Sequence, residues 1–393
     1  MFSGSYDPED CVFLLKPVRL APTPLEEKER LIQSGRRHYS EMIGAEALPS
    51  AQYLAVFHQA LARVKTRFAR HLLTLAGEIA RLQAPHPGLS PGERGEAWGP
   101  HPARAPERRG GNADEIVLVS LARAGTPIGV MLGRILRRLM RRRVRHYSIS
   151  IIRDRGIDEA ALAYILDRHA PSALVFVDGW TGKGAIAAEL QKSVAQFNEQ
   201  HHVNLDEGLC AVADLSGTAA LAATAEDYLI PSAVLGCTIS GLVSRSILNS
   251  DVVRPGEFHG CVMYEEYRAH DLSRWFVDAL TEESARLYRP GDDPAVAPGV
   301  SARERQAVRE KSVAFLQATA ARFRIRDVNR IKPGLGEATR VLLRRVPDCL
   351  LLRDPDLADV AHVHLLAQEK QVPIVVDDAL PYLAVAIIKE FAE

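Results

Sequence analysis

The sequence carries no net charge: 49 lysines and arginines balance 49 aspartates and glutamates over 393 residues. Global electrostatics therefore cannot hold the chain on nucleic acid or on an anionic membrane, and any such binding must be local. Cysteine is scarce. Cys11, Cys210, Cys237, Cys261 and Cys349 are scattered, odd in number and without a C-x-x-C pair, which removes the usual start of a zinc site and predicts a reducing, cytoplasmic setting. No apolar run approaches the length that spans a bilayer, and the opening MFSGSYDPEDCVF has acidic residues where a secretory signal needs a basic start. Membrane insertion is not expected. There is no solenoid repeat. What is present is the balance of a soluble globular protein, 47% hydrophobic and 25% charged, in a chain long enough for two domains and a smaller third element.

Apolar residues from Ser50 to Leu82 recur at three and four positions, which predicts a long amphipathic helix; residues 1–83 read as a helical cap on the core. The proline-rich stretch at 84–114 reads as a flexible loop. From Ile116, short β-branched runs (IVLVSL, YSISII, ALVFVD, LCAVADL, SAVLGCTI) alternate with helical stretches. That alternation predicts an α/β domain over 115–288 with a doubly wound parallel sheet. Ligands of such sheets bind at the edge that carries the strand-to-helix loops. RPGDDPAVAPGVS, at 289–301, reads as a linker. A compact unit follows at 302–393, predicted as helix, helix, strand, helix, strand and a final helix over Tyr382–Phe391.

Two loops on the predicted edge suit phosphate. In the first, Arg123-Ala124-Gly125-Thr126-Pro127 leads from a buried strand into a helix, offering free N–H groups beside a fixed charge. In the second, Asp178-Gly179-Trp180-Thr181-Gly182-Lys183-Gly184 puts a carboxylate, a hydroxyl and a lysine where a helix begins. Asp178 is the candidate for sugar hydroxyls or for magnesium shared with phosphate oxygens.

The blocks FSGSYDPEDCVFLLKP, VLVSLARAGTPIG, HYSISIIRDRGID, VFVDGWTGKGAI and GCTISGLVSRSIL together resemble the StiP-type phosphoribosyltransferase-like proteins of tellurite-resistance gene clusters. The resemblance implies a type I phosphoribosyltransferase fold and a Mg-dependent transfer of ribose 5-phosphate, from phosphoribosyl pyrophosphate (PRPP) or a related sugar phosphate, to or from a nucleobase-like acceptor. Gly179 stands where that signature has a second acidic residue. Under this reading Asp178, Arg123 and Lys183 carry the chemistry, with Ala124, Gly125, Thr126, Gly179, Trp180, Thr181, Gly182 and Gly184 cradling the ligand. Arg153 and Arg155 would cover pyrophosphate. Asp214, Ser216, Thr238, Ser240 and Arg245 are the acceptor candidates.

The C-terminal unit is electrically lopsided. Between Arg303 and Arg345 there are twelve Lys or Arg against four Asp or Glu, and from Asp348 to Glu393 three against nine. Concentrated positive charge suits a phosphate backbone. Lys332-Pro333-Gly334-Leu335-Gly336-Glu337-Ala338-Thr339-Arg340 resembles the loop-to-helix motif of the pelota RNA-binding superfamily. That likeness implies RNA contacts by Gly334, Glu337, Thr339 and Arg340. The run Arg134 to Arg145 reads as the exposed face of a helix.

Two other function classes fit the same residues. One is a non-catalytic sensor of a nucleotide-like ligand that also binds RNA. The other is a cysteine protease using Cys237 with His259 or His201 as base, a label that members of the resembled family have carried. The sequence leaves oligomeric state open, a homodimer being compatible with it.

Overall fold

Strands without a polar face must be covered on both sides. The computed structural model describes residues 1–83, 115–289 and 299–391, and its largest sheet is built from such strands. The sheet contains β1 (Val12–Phe13), β3 (Glu115–Leu121), β4 (Arg143–Ile149), β7 (Leu174–Thr181), β8 (Leu209–Asp214) and β9 (Leu221–Thr224). Their order is β1-β4-β3-β7-β8-β9, all parallel. Two short pairs flank it: β2 (Lys16–Pro17) with β10 (Gly260–Cys261), and β5 (Ile151–Ile152) with β6 (Gly156–Ile157).

Alternate residues of β3 face opposite layers. Ile116 and Leu118 pack with α2 (Ala51–Leu82), α3 (Thr126–Arg138) and α6 (Ser273–Leu287). Val117 and Val119 pack with α4 (Glu159–Leu166) and α5 (Ala185–His201). The amphipathic period from Ser50 produces α2 as expected, and the Ser50 hydroxyl accepts the Tyr53 N–H at 3.1 Å to cap it. A shorter helix, α1 (Leu25–Gln33), precedes it.

The C-terminal unit begins with α7 (Ala302–Arg322), opened by a reciprocal capping box between Ser301 and Glu304. Its sheet has the order β11-β14-β12-β13, formed by β11 (Ile331–Pro333), β12 (Pro347–Leu352), β13 (Ile374–Val376) and β14 (Ala384–Ile388). The helices α8 (Leu335–Arg344) and α9 (Ala361–Glu369) cover one face.

Three expectations are corrected. The final helix over Tyr382–Phe391 is instead β14, hydrogen-bonded on both sides by β11 and β12 and fully buried, so pairing overrides the helical preference of its alanines. SAVLGCTI is not a strand. Pro231 and Gly236 break it into two short 3-10 turns, Pro231–Ala233 and Cys237–Ile239, and β9 takes the edge position beside β8. Arg134 is no surface residue: it is buried and bonded to Asp10 at 2.6 Å and to Asp278 at 2.5 Å. The loop expected at 84–114 and most of the linker expected at 289–301 lie outside the described residues.

The C-terminal unit is docked on the loop edge of the main sheet. Buried Asp227 accepts the backbone N–H of Leu335 at 2.9 Å and of Leu383 at 2.7 Å, joining the start of α8 and the residue before β14 to the core. One continuous apolar cluster includes residues of α2, α3, α8 and β12.

Candidate active site

The loop after β3 is shaped by close backbone approach. A Cβ at Gly125 would lie 2.8 Å from the Val177 carbonyl oxygen and 2.9 Å from that of Leu121, so the chain can turn there only with glycine. Arg123, 6% exposed, is aimed inward: it donates to the Val243 carbonyl at 2.8 Å and forms an ion pair with Glu46. Glu46 belongs to the irregular segment that precedes α2. Its other carboxylate oxygen accepts the Cys237 backbone N–H at 3.2 Å, and its carbonyl accepts the Tyr267 hydroxyl at 2.8 Å. Burial raises the Glu46 carboxyl, but Arg123 and Arg344 beside it outweigh burial and hold it at about 2. Thr126, by contrast, is a core group that shares a 2.7 Å hydrogen bond with Ser148.

The second loop is closed over by the chain itself. The strand β7 runs through Asp178 to Thr181, so Asp178 lies inside the strand, where it accepts the Gly179 N–H at 2.7 Å. Burial pushes its carboxyl up to about 7, against that hydrogen bond and Arg340. Gly179 lies beneath Ile128. A Cβ on Gly182 would meet the Glu337 side chain at 2.9 Å, so a carboxylate-bearing side chain of α8 already covers the loop. Lys183 donates to the Val328 carbonyl at 2.9 Å and to Asn329 at 3.0 Å, and burial with nearby Lys332 and Arg153 lowers its ammonium to about 7. Gly184 adopts φ 82° at the start of α5, with Thr218 packed against it. Trp180 lies under the guanidinium of Arg340, 5.1 Å from the ring centre, and Gly336 packs on its edge.

The remaining candidates are tied to neighbouring segments. Asp214 and Ser216 form a buried network with Thr181: Ser216 donates to Thr181 at 2.9 Å and to Asp214 at 3.0 Å. Arg155 pairs with Glu41 at 3.1 Å, and the Arg153 guanidinium lies 5.7 Å from the centre of the Tyr39 ring. Arg245 donates to the Tyr39 carbonyl at 2.6 Å and lies over the same ring. Thr238 is buried, and Ser240 donates to the Gly236 carbonyl at 3.0 Å. In the C-terminal unit, Gly334 packs on Leu215, Thr339 is buried between the Leu335 carbonyl and His362, and Glu337 pairs with Arg340 at 3.0 Å. This loop therefore faces the core.

A narrow cleft lies between the first loop, the Ser232–Ser240 turn and α8, with Arg123, Arg340 and Arg344 among the residues that line it. Arg344 donates to the Leu235 carbonyl at 3.1 Å, two residues before Cys237. Glu46 and Arg344 were not foreseen from the sequence: Glu46 lies in GAEALPS, which has no periodicity, and Arg344 reads as a helix-end charge.

All five cysteines are free and buried. Cys210, Cys261 and Cys349 lie in strands, and Cys11 precedes β1. Cys237 opens the turn whose neighbours Gly236, Ile239 and Ser240 line the cleft, and is itself buried behind them. Burial and the Glu46 carboxylate push its thiol up to about 12, against Arg123. The two histidines considered as its base are engaged elsewhere. His259 bonds Ser150 at 2.7 Å, while its backbone N–H is held by Asp158. His201 ends α5, at the far edge of the sheet, against Phe197. Among the described residues no three His, Cys, Asp or Glu side chains gather as a metal site, and no helix is long and apolar enough to cross a membrane.

Residues 4–90 and 104–281 match the family described as tellurite-like stress resistance cysteine protease StiP. Residues 310–390 match the PELOTA RNA binding domain. The chain is similar to a protein of Acinetobacter baylyi named cysteine protease StiP, 39% identical over 402 residues that span 100% of this chain and 95% of the relative. No solved structure matches. These matches overturn the reading of the chain as a phosphoribosyltransferase acting on PRPP with magnesium: both the family and the full-length relative are named as cysteine proteases. Glutamates of the chain itself stand against both loops expected to hold phosphate.

Proposed function

The chain belongs to the StiP family of tellurite-like stress resistance cysteine proteases, and from that membership we propose that it is a cysteine peptidase whose nucleophile is Cys237. The observation that carries the choice of residue is its setting. Cys237 is the cysteine whose turn borders the cleft, and the Arg123 and Arg344 guanidinium groups pull its thiol down against burial and the Glu46 carboxylate. The thiolate sulfur bonds the peptide carbonyl carbon, the C–N bond breaks with the amine taking a proton from water, and a second water hydrolyses the thioester. The Cys237 N–H, which now holds Glu46, is the natural donor to the developing oxyanion. Five free thiols accord with a reducing cytoplasmic setting.

Turnover of an unfolded protein such as reduced casein tests this reading. Cys237→Ser is expected to lose at least a hundredfold in kcat/KM; undiminished turnover in that variant would sink it.

The C-terminal unit is read as an RNA-binding module, supported by its family match and by its basic half. With the Gly334–Arg340 loop packed on the core, the surface for a phosphate backbone is the outer face of α7 and the turn after it, where Arg303, Arg309, Lys311, Arg324 and Arg326 are exposed. Replacing Arg324 and Arg326 by glutamate should weaken binding of a structured RNA at least tenfold and flatten its salt dependence; unchanged binding would exclude this surface.

A further inference from the structure

The cleft beside Cys237 contains more guanidinium than carboxylate. Arg123 is matched by Glu46 and Arg340 by Glu337. Arg344 has no carboxylate hydrogen-bonded to it among the described residues; its recorded bond goes to the Leu235 carbonyl. Burial, with Arg123 and Arg340 as like-charged neighbours, lowers its guanidinium to about 10, against the pull of Glu46. A half-buried cation surrounded by like charge is costly unless a ligand neutralises it.

The chain itself indicates the kind of anion that fits. Each guanidinium that is matched is matched by one carboxylate on a short aliphatic stem. The walls around Arg344 include apolar Leu235, Ile239 and Pro127, which suit such a stem better than a run of phosphates, and the cleft, with room for about one water, must widen to admit it. Taking the peptidase reading as its premise, we infer that this cleft selects peptides with a glutamate or aspartate next to the scissile bond, and that Arg344 is the specificity-determining residue that pairs with it. The C-terminal unit then has a part in catalysis: α8 supplies the substrate-reading side of a cleft whose nucleophile lies in the main domain. The site is incomplete without it.

The test uses blocked hexapeptides carrying one glutamate at each position in turn, with their glutamine counterparts, in two arms. In the first, peptides are titrated into full-length Cys237→Ser protein, which cannot turn over. At least one glutamate peptide is expected to bind ten times more tightly than its glutamine partner, a ratio lost in Cys237→Ser/Arg344→Gln and partly restored by lysine at 344. Equal binding of each pair, or a preference that survives Arg344→Gln, overturns the inference. So does displacement of the bound peptide by a short oligoribonucleotide, since RNA would then be the occupant. In the second arm, the same peptides are offered to wild type. Cys237-dependent cleavage without a preference for glutamate leaves the peptidase reading standing and removes the inference; a glutamate preference in binding with no Cys237-dependent cleavage sinks the peptidase reading and, with it, selection next to a scissile bond, leaving only a carboxylate site at Arg344.

Discussion

At the scale of single residues, the state of the candidate nucleophile depends on burial and on one carboxylate. Glu46 accepts the Cys237 N–H and pairs with Arg123, so it both takes up the donor an oxyanion needs and cancels the cation that would favour a thiolate. Replacing it by glutamine removes a like charge from the thiolate, so the thiol titrates below about 12. Alkylation of Cys237 by iodoacetamide at pH 8 should be at least fivefold faster in Glu46→Gln than in wild type, measured by peptide mapping; an equal rate would show that burial alone protects the thiol. Asp178 offers a second test. Its carboxyl is raised to about 7 by burial, so the native state favours the protonated form. Below about pH 4 both native and unfolded chains hold the proton and no penalty arises. Between pH 4 and 7 the unfolded chain ionises first, and the penalty grows until it levels off above pH 7. Asp178→Asn should thus stabilise the protein by about 1–2 kcal/mol at pH 8 and by little at pH 4, read by thermal unfolding. A gain that is the same at both pH values would contradict the raised carboxyl.

At the scale of elements, Gly125 decides whether the first loop can close. Alanine there would press on two backbone carbonyls that cannot move aside, with an expected loss of about 1–3 kcal/mol in denaturant unfolding. A neutral change would mean that the turn relaxes. The elements that were legible in the sequence are those with a clear period or a long uninterrupted run, such as α2 and the strands β3, β7 and β8. The short apolar segments were not. LAVAII has no period to tell strand from helix, and only its pairing between β11 and β12 decides it. SAVLGCTI is as apolar as a strand because it is buried, yet Pro231 before it and Gly236 within it bend it into the turn that bears Cys237. The two glycine-bearing loops were found from sequence, but their occupants were not. Glu46 and Glu337 reach them from segments distant along the chain, and a single sequence carries no sign of such pairing.

At the scale of the whole molecule, the two units share one apolar cluster and the double hydrogen bond of Asp227, so they should unfold together. Calorimetry is expected to give one transition for wild type. Asp227→Ala leaves the N–H groups of Leu335 and Leu383 unpaired and should lower that transition by several degrees, or split it in two. A wild-type protein with two well-separated transitions would show that the interface is weaker than its packing implies. The zero net charge of the chain hides a division of labour: among the described residues, the guanidinium groups of Arg123 and Arg340 at the cleft are matched by carboxylates and that of Arg344 is not, while Arg303, Arg309, Lys311, Arg324 and Arg326 stand exposed on α7 and the turn after it.

The most direct test of the central claim is to quench the reaction of wild-type protein with a cleavable peptide in acid and map the covalent acyl group by mass spectrometry. The account predicts a thioester on Cys237 and none in Cys237→Ser, whose turnover is lost. An acyl group on another residue, or turnover that persists in Cys237→Ser, would contradict it.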